Sequence, residues 1–221
     1  MSLKAVFFDL DGTLLDTSAD LAQALNRTLE QHGRDILPAQ EIRKEVSNGA
    51  SAMIHLGFGQ QLSSEQLIQL RADLLHHYLS DIAALTTPFD GIETLITQLA
   101  QQGIAWGIVT NKPQRYTEAL MRYFDFAVAP CATVSPEHAG VAKPDPAPLL
   151  YACHQANVEP EDCIYIGDHL RDIECGRNAG MPTIAVGYGF TEQVDEYLSW
   201  RADHCAATAH DIWPIIQTHY L

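Results

Sequence analysis

The chain has 221 residues, of which 47% are hydrophobic, and a formal net charge of -15 at pH 7. That is enough apolar material for one large domain or two small ones. The negative charge argues against nucleic acid or an anionic membrane as the main partner, because both are polyanions. An anionic substrate must therefore be attracted by a local positive group.

The cysteines and the first residues of the chain indicate in which cellular compartment the protein is expected. The five cysteines are odd in number and no two form a CxxC pair, which predicts reduced thiols rather than a disulfide framework or a zinc site. The chain starts by running directly into an acidic motif, unlike a signal peptide, and no apolar run approaches membrane-spanning length. We therefore expect a cytoplasmic protein without a membrane partner. The sequence leaves its oligomeric state open.

The first predicted strand, residues 5–8, is a short apolar and aromatic run typical of a strand buried on both faces. It ends at Asp9 and Asp11, whose carboxylates repel each other unless a cation or a shared proton lies between them. Mg²⁺ is the simplest remedy, because it prefers hard oxygen ligands. Gly12 and Thr13 then offer a tight turn, backbone N–H groups and a hydroxyl to an anion. The plainer alternative is a turn, in which Asp and Gly are common.

Residues 16–87 carry helical patterns and no strand signal. Leucines at four-residue spacing predict a first helix that ends near Gly33. Shorter helical patterns follow, interrupted at Asn48-Gly49, and Ser63 with Gln66 predicts a capping box before a long amphipathic helix. We predict a helical domain over residues 16–87, inserted into a core domain formed by residues 1–15 and 88–221.

From residue 88 the pattern alternates between helix and strand. The predicted strands are residues 104–109, 126–129, 163–166, 183–186 and 203–205, and the predicted helices cover residues 92–99, 113–124, 149–153, 170–179 and 212–217. This alternation predicts the α/β class, with a doubly wound, Rossmann-like parallel sheet as the core and an inserted helical domain. Ligands of such sheets gather at the carboxyl ends of the strands.

Polar residues follow the predicted strands at that edge. Thr110 and Asn111 follow one strand, Asp168 follows another, and Lys143 lies at a loop-to-helix junction. Each has a plainer interpretation by itself, as a helix cap, a turn or a solvated surface lysine. Taken together in this fold, they are predicted to converge with Asp9 and to neutralise a phosphate ester.

Four stretches support that prediction by resemblance. DLDGT at 9–13, VTNKP at 109–113, KPDP at 143–146 and GDHLRD at 167–172 resemble, in order, the four motifs of the haloacid dehalogenase (HAD) superfamily. The similarity spans essentially the whole chain. It implies a Mg²⁺-dependent phosphomonoester hydrolase that acts on a small phosphorylated metabolite through an aspartyl-phosphate intermediate.

The resemblance also implies a role for each matched residue. Asp9 is expected to be the nucleophile and Asp11 the general acid and base, a role typically worth ~10²–10⁴-fold in rate. Asp172 is expected to support the metal indirectly. The expected phosphate ligands are Gly12, Thr110, Asn111 and Lys143, and the expected Mg²⁺ ligands are Asp9, Asp168 and, through its carbonyl, Asp11. His169 departs from the family pattern, and a structural histidine is the plainer interpretation.

The helical insert resembles the small cap of the phosphoglycolate-phosphatase-like branch. Such caps close over the site, exclude water and select the substrate. Asn48 and Gly49 form the candidate specificity loop, with a helix–helix turn as the alternative, and residues 16–17 and 86–88 are the candidate hinges. VSNGASAM and AVGYGF resemble more narrowly the N-acetylmuramic acid 6-phosphate phosphatases. The expected substrate is therefore 2-phosphoglycolate or N-acetylmuramic acid 6-phosphate.

The same residues bear on rival functions. A dehalogenase would not need Asp11, because a halide leaves without a proton. A phosphonate hydrolase would need a cap lysine, and Lys44 is the only lysine in the insert and lies in a charged stretch. No GxGxxG follows the first strand, which argues against dinucleotide binding. A β-phosphoglucomutase-like sugar phosphomutase shares the core residues and stays open. A non-catalytic binding module is the remaining alternative.

Overall fold

The computed structural model describes residues 2–191, 193 and 195–221. The chain divides into two compact units. The larger unit runs up to Leu15 and resumes over Pro88–Leu221, and the smaller unit is Asp16–Thr87. The larger unit contains the sheet, and the smaller unit is helical.

The strands of the described residues are β1 (Ala5–Phe8), β2 (Leu15–Asp16), β3 (Thr87–Pro88), β4 (Ala105–Val109), β5 (Thr133–Val134), β6 (Cys163–Gly167), β7 (Thr183–Val186) and β8 (His204–Ala206). Strands β2 and β3 form a separate two-stranded sheet, and the others form a six-stranded sheet in the order β5-β4-β1-β6-β7-β8. Every neighbouring pair in the larger sheet is parallel. The predicted doubly wound α/β fold is confirmed.

Strand β1 lies in the middle of this sheet because its residues are apolar on both faces. All four of its residues are buried, as are those of β6 and β7. Ala5 pairs with Ala105 of β4 on one side and with Cys163 of β6 on the other. The strand order reverses at β1, so the carboxyl ends of β1, β4 and β6 border one crevice, where ligands of such sheets bind.

The helices of the described residues lie close to their predicted places. They are α1 (Ser18–Gln31), α2 (Ala39–Arg43), α3 (Ala50–Phe58), α4 (Ser64–Ser80), α5 (Ile92–Gln101), α6 (Gln114–Met121), α7 (Pro136–Ala139), α8 (Ala147–Ala156), α9 (Leu170–Asn178) and α10 (Ile212–His219). Short 3₁₀ turns cover Pro160–Asp162, Glu196–Ser199 and Ala209–Asp211. Each helix of these residues is too short or too polar to cross a bilayer.

The predicted strand over residues 126–129 is wrong. The strand of this region is β5, at Thr133–Val134. Phe126 packs its ring against Trp106 with 5.1 Å between centroids, and the carbonyl of Val128 accepts a hydrogen bond of 2.9 Å from the Trp106 indole. Val128 itself is 44% exposed. The apolar run therefore covers the edge of a buried tryptophan and does not extend the sheet.

The hydrogen bonds of the helical unit confirm one local prediction and add one further contact. The capping box at the start of α4 is confirmed, because Ser63 and Gln66 each accept a bond from the other's backbone N–H, at 3.2 and 2.9 Å. Asp20 near the start of α1 is buried, and it accepts bonds from the backbone of Leu85 and from the backbone and hydroxyl of Thr86. These bonds hold the two ends of the insert together.

Candidate active site

Asp9 lies directly after β1, at the carboxyl edge of the sheet. Its backbone N–H donates to the Ile166 carbonyl at 2.9 Å, which continues the ladder between β1 and β6. The Thr110 N–H likewise donates to Val134 at 2.9 Å at the end of β4. Because the strands are parallel, both residues reach the same edge. Asp9 is 9% exposed and Thr110 is 2% exposed.

Lys143 is a buried cation beside Asp9. Its Nζ lies 2.8 Å from Asp9 Oδ1 and 2.7 Å from Asp172 Oδ1. It also donates hydrogen bonds to the Val109 carbonyl at 3.0 Å and to the Tyr165 hydroxyl at 2.8 Å. Lys143 is 4% exposed. Burial disfavours its charge, but the carboxylates of Asp172 and Asp9 outweigh that penalty and raise its pKa above the ordinary value.

Asp168 and Asp172 complete a cluster of carboxylates with Asp9, in which one oxygen from each residue lies within 4.8 Å of the others. Asp168 accepts bonds from the Thr13 hydroxyl at 3.2 Å and from the Phe190 N–H at 2.9 Å. Asp172 has Lys143 at one oxygen and the His169 N–H, at 3.1 Å, on the other. Both oxygens of Asp172 already have protein partners, which suits the indirect role predicted for it.

The cluster holds more negative charge than its lysine neutralises. Burial raises the pKa of Asp9 to about 6, with Lys143 opposing the shift and Asp172 adding to it. Burial also raises the pKa of Asp168 to about 8, and the charges of Asp9 and Asp172 add to that shift. The three carboxylates therefore repel one another and face a single ammonium group, so a further cation would be strongly favoured here.

The donor set fits a hard divalent cation. Asp9 Oδ1 is buried and has no hydrogen-bond partner among the described residues, although Lys143 Nζ forms an ion pair with it. Carboxylate and carbonyl oxygens are the ligands that Mg²⁺ prefers. Gly12 leaves the necessary space, because a Cβ at this position would overlap the Asp168 carboxylate and its φ of 89° disfavours other residues.

Two predicted phosphate ligands have protein partners of their own. The Asn111 carboxamide accepts a bond from the Lys143 N–H at 2.8 Å and donates to the Lys143 carbonyl at 3.0 Å, so it holds the backbone of the lysine. The Thr110 hydroxyl accepts a bond from the Lys112 N–H at 3.1 Å. Phosphate binding by Gly12, Thr110, Asn111 and Lys143 stays a prediction.

The sequence reasoning missed Lys112. Its Nζ donates to Asp11 Oδ1 at 2.9 Å, and its side chain is only 7% exposed. A second lysine at the same edge, with a largely buried side chain, therefore holds the carboxylate predicted to act as acid and base. The available signal was its place in VTNKP, directly after Thr110 and Asn111, in a chain with only 13 lysines and arginines.

A loop after β7 was also missed. The Tyr188 hydroxyl donates to the Thr13 carbonyl at 3.0 Å, and the Phe190 N–H bonds to Asp168. A Cβ at Gly189 would overlap Asp168, so the loop lies directly against this carboxylate. Residues 187–190 therefore hold Asp168 and the turn at Thr13 in place. In the sequence, AVGYGF at 185–190 indicated only a resemblance and did not predict this structural role.

Residues 6–186 match the family model described as haloacid dehalogenase-like hydrolase. The chain belongs to this family. The predicted resemblance is thereby confirmed, and the protein is a hydrolase of the HAD type. Its motif residues Asp9, Lys143, Asp168 and Asp172 are the ones that form the carboxylate cluster described above.

Named relatives cover nearly the whole chain. The N-acetylmuramic acid 6-phosphate phosphatase of Pseudomonas aeruginosa is 43% identical over 203 residues, which is 92% of this chain and 90% of that protein. A phosphoglycolate phosphatase of Xylella fastidiosa is 33% identical over 216 residues, with 96% and 94% covered. A crystal structure from Haemophilus somnus, titled a predicted phosphoglycolate phosphatase, has a TM-score of 0.85 at 21% identity and covers 98% and 99% of the two chains. This last likeness concerns the fold.

Three further residues singled out in the sequence of this HAD-family protein contribute to turns and helix ends. Gly49, with φ of 85°, precedes α3, and the Asn48 carboxamide donates to the Glu45 carboxylate at 3.1 Å. Their role in specificity stays a prediction. His169 is the N-cap of α9, where its Nδ1 accepts a bond from the Arg171 N–H at 3.1 Å. This agrees with the structural interpretation of the histidine.

Without metal, this HAD-family protein is expected to lose stability as the pH rises. The pKa of Asp168 is raised from 3.8 to about 8. Between those values the folded protein keeps a proton that the unfolded chain releases, so the free energy of unfolding falls with increasing pH. In EDTA, we expect the thermal midpoint to fall by several degrees between about pH 5 and about pH 8.5, since about 1 kcal/mol corresponds to about 2–4 °C at this chain length.

Scanning calorimetry with EDTA or with millimolar MgCl₂ tests this expectation. Mg²⁺ is expected to remove most of the decline, because it replaces the proton as the partner of the carboxylates. The matched variant Asp168→Asn should show a flatter pH dependence in EDTA and a smaller response to Mg²⁺. A thermal midpoint that rises over this pH range, or that does not change with Mg²⁺ in the native sequence, contradicts the expectation.

Proposed function

We propose that this protein is a Mg²⁺-dependent phosphomonoester hydrolase that works through an aspartyl-phosphate intermediate. The observation that carries the proposal is the buried Lys143, 2.8 Å from Asp9 and 2.7 Å from Asp172. In a chain with a net charge of -15, this lysine supplies local positive charge beside a carboxylate nucleophile. Such charge compensation is what phosphoryl transfer requires.

The proposed reaction has two steps, each a displacement at phosphorus. An Asp9 oxygen forms a bond to phosphorus as the bond to the leaving oxygen breaks, and Asp11 donates the proton that makes the leaving group an alcohol. Asp11 then takes a proton from water, whose oxygen attacks phosphorus and releases Asp9 and inorganic phosphate. Lys112 supports this role, because it holds the Asp11 carboxylate at 2.9 Å. Asp9, Asp168 and the Asp11 carbonyl would hold Mg²⁺, which would supply positive charge to neutralise the phosphoryl group.

The proposed substrate is a small phosphorylated acid, with N-acetylmuramic acid 6-phosphate as the first candidate. The relative that carries this name shares 43% identity with the chain, against 33% for the phosphoglycolate phosphatase. 2-Phosphoglycolate is therefore the second candidate. We assign substrate choice to the helical unit, and within it to Asn48 and Gly49. The five free cysteines support a cytoplasmic location.

A panel of phosphate esters ranked by kcat/KM tests the substrate. N-Acetylmuramic acid 6-phosphate and N-acetylglucosamine 6-phosphate form a matched pair, because they differ by the lactyl ether with its carboxylate. We expect at least ~10-fold preference for the first, as for a site that binds the extra polar group. A preference for 2-phosphoglycolate selects the second candidate, and a preference for phosphoproteins or nucleic acid ends contradicts both.

Two controls separate the rival functions. Glucose 1-phosphate that is converted to an isomeric sugar phosphate, without release of inorganic phosphate, would identify a mutase. Release of phosphate from any ester must be lost in Asp9→Asn, which excludes a contaminating phosphatase. If no ester releases phosphate in the presence of Mg²⁺, the non-catalytic binding module is the remaining function and the proposed hydrolase activity is wrong.

A further inference from the structure

Tyr165 lies in the centre of the sheet, where a hydroxyl group needs a specific partner. It is the third residue of β6, pairs in register with Phe7 and Thr183, and is fully buried. Its neighbours Ile164 and Ile166 are apolar, and phenylalanine would fill the same space. A buried hydroxyl without a hydrogen bond costs free energy, so its partners indicate what it does.

The Tyr165 hydroxyl connects the end of β4 to Lys143 at the edge of the sheet that carries the active site. It donates to the carbonyl of Val109, the last residue of β4, at 2.7 Å. It accepts a bond from Lys143 Nζ at 2.8 Å. The ammonium also lies 5.5 Å from the centroid of the Tyr165 ring. The tyrosine thus fixes the lysine relative to the strand end that precedes Thr110.

The number of hydrogens on Lys143 gives this contact its significance. Four oxygens lie within 3.0 Å of Nζ, belonging to Asp9, Asp172, Val109 and Tyr165. An ammonium group has three hydrogens, so it cannot donate to all four. Tyr165 and Val109 accept hydrogen bonds from the ammonium, and Asp9 and Asp172 form ion pairs with it.

We propose that Tyr165 is a positioning residue that fixes the Lys143 ammonium between Asp9 and Asp172. Its hydroxyl takes one hydrogen of the ammonium and, together with the Val109 carbonyl, keeps the charge in one place beside Asp9. A charge held in a fixed position stabilises the charge that develops during phosphoryl transfer better than a mobile one. This inference rests on the proposed function, in which Asp9 attacks phosphorus.

The proposal predicts what happens when the hydroxyl alone is removed. In Tyr165→Phe the ring keeps its space, and a hydrogen of Lys143 loses its acceptor. We expect the ammonium to shift towards the carboxylates of Asp9 and Asp172, which lie 2.8 and 2.7 Å from Nζ. This shift should lower kcat by about 10- to 100-fold, the range for a hydrogen bond to a charged group, and leave KM nearly unchanged.

A double-mutant cycle with p-nitrophenyl phosphate and Mg²⁺ tests whether the tyrosine acts through the lysine. Tyr165→Phe should lower kcat in the native sequence and have less than ~2-fold effect in Lys143→Met, because no ammonium remains to be positioned. If the Lys143→Met rate is too low to measure, orthovanadate affinity by calorimetry replaces kcat in the cycle. Tyr197→Phe is the matched control, a buried tyrosine of the same unit on a 3₁₀ turn.

The outcomes separate this inference from the proposed function. A native protein that neither hydrolyses the ester nor binds orthovanadate removes the proposed function itself. An active native protein in which Tyr165→Phe behaves like Tyr197→Phe overturns only the role of Tyr165. Equal effects of Tyr165→Phe with and without Lys143, or failure of this isosteric variant to fold, indicate a structural role and also overturn it.

Discussion

Asp9→Asn is expected to lower kcat for p-nitrophenyl phosphate by at least about 10³-fold, because an amide oxygen cannot form the aspartyl-phosphate. The same variant is expected to fold and to be more stable in EDTA. Burial raises the pKa of Asp9 to about 6, so its charge is unfavourable in the metal-free cluster, and asparagine removes that charge. Loss of activity together with a higher thermal midpoint would separate a chemical role from a structural one.

Steady-state kinetics with Mg²⁺ and calorimetry in EDTA provide both measurements for Asp9→Asn. Asp125→Asn is the matched control, since Asp125 is exposed in the same unit, and it should leave both quantities unchanged. A variant at Asp9 that keeps the native rate would exclude the aspartyl-phosphate route. A variant that is inactive because it is unfolded would show a lower midpoint, opposite to the expected shift.

Lys143→Met is expected to have the largest combined effect on activity and stability. It removes the ammonium that pairs with Asp9 and Asp172 and leaves these buried carboxylates beside each other. Breaking a buried pair by removing one partner typically costs about 3–5 kcal/mol. We expect a loss of that size in the free energy of unfolding in EDTA, a smaller loss with Mg²⁺, and a fall of about 10²-fold or more in kcat/KM.

Urea unfolding and kinetics measure these two effects separately. The double variant Lys143→Met with Asp172→Asn is the control, because it removes a negative charge together with the positive one. It should recover part of the stability and none of the activity. Lys143→Met with unchanged stability in EDTA would mean that Asp9 and Asp172 do not carry the charge inferred for them.

Local sequence patterns predicted the helices and strands and the edge of the sheet at which the active-site residues meet. Buried runs such as residues 5–8 and 163–166 have no polar face, so they indicate central strands of a parallel sheet. Parallel strands place their carboxyl ends together, which is why Asp9, Thr110 and Asp168 were expected at one edge. The strand predicted at 126–129 failed because a short apolar run also suits a surface segment that packs on one large side chain, here Trp106.

The amino-acid sequence by itself determined the α/β class, the order of the motifs and the set of carboxylates that meet Lys143. Only the tertiary structure decided which atoms these residues contact. Asn111 holds the backbone of Lys143, 32 positions away, and Lys112 reaches Asp11 across 101 positions. Periodicity reports which face of an element is buried, but the direction of a long side chain depends on packing between distant segments. The contacts of Lys112 and Tyr165 therefore emerged only from the folded chain.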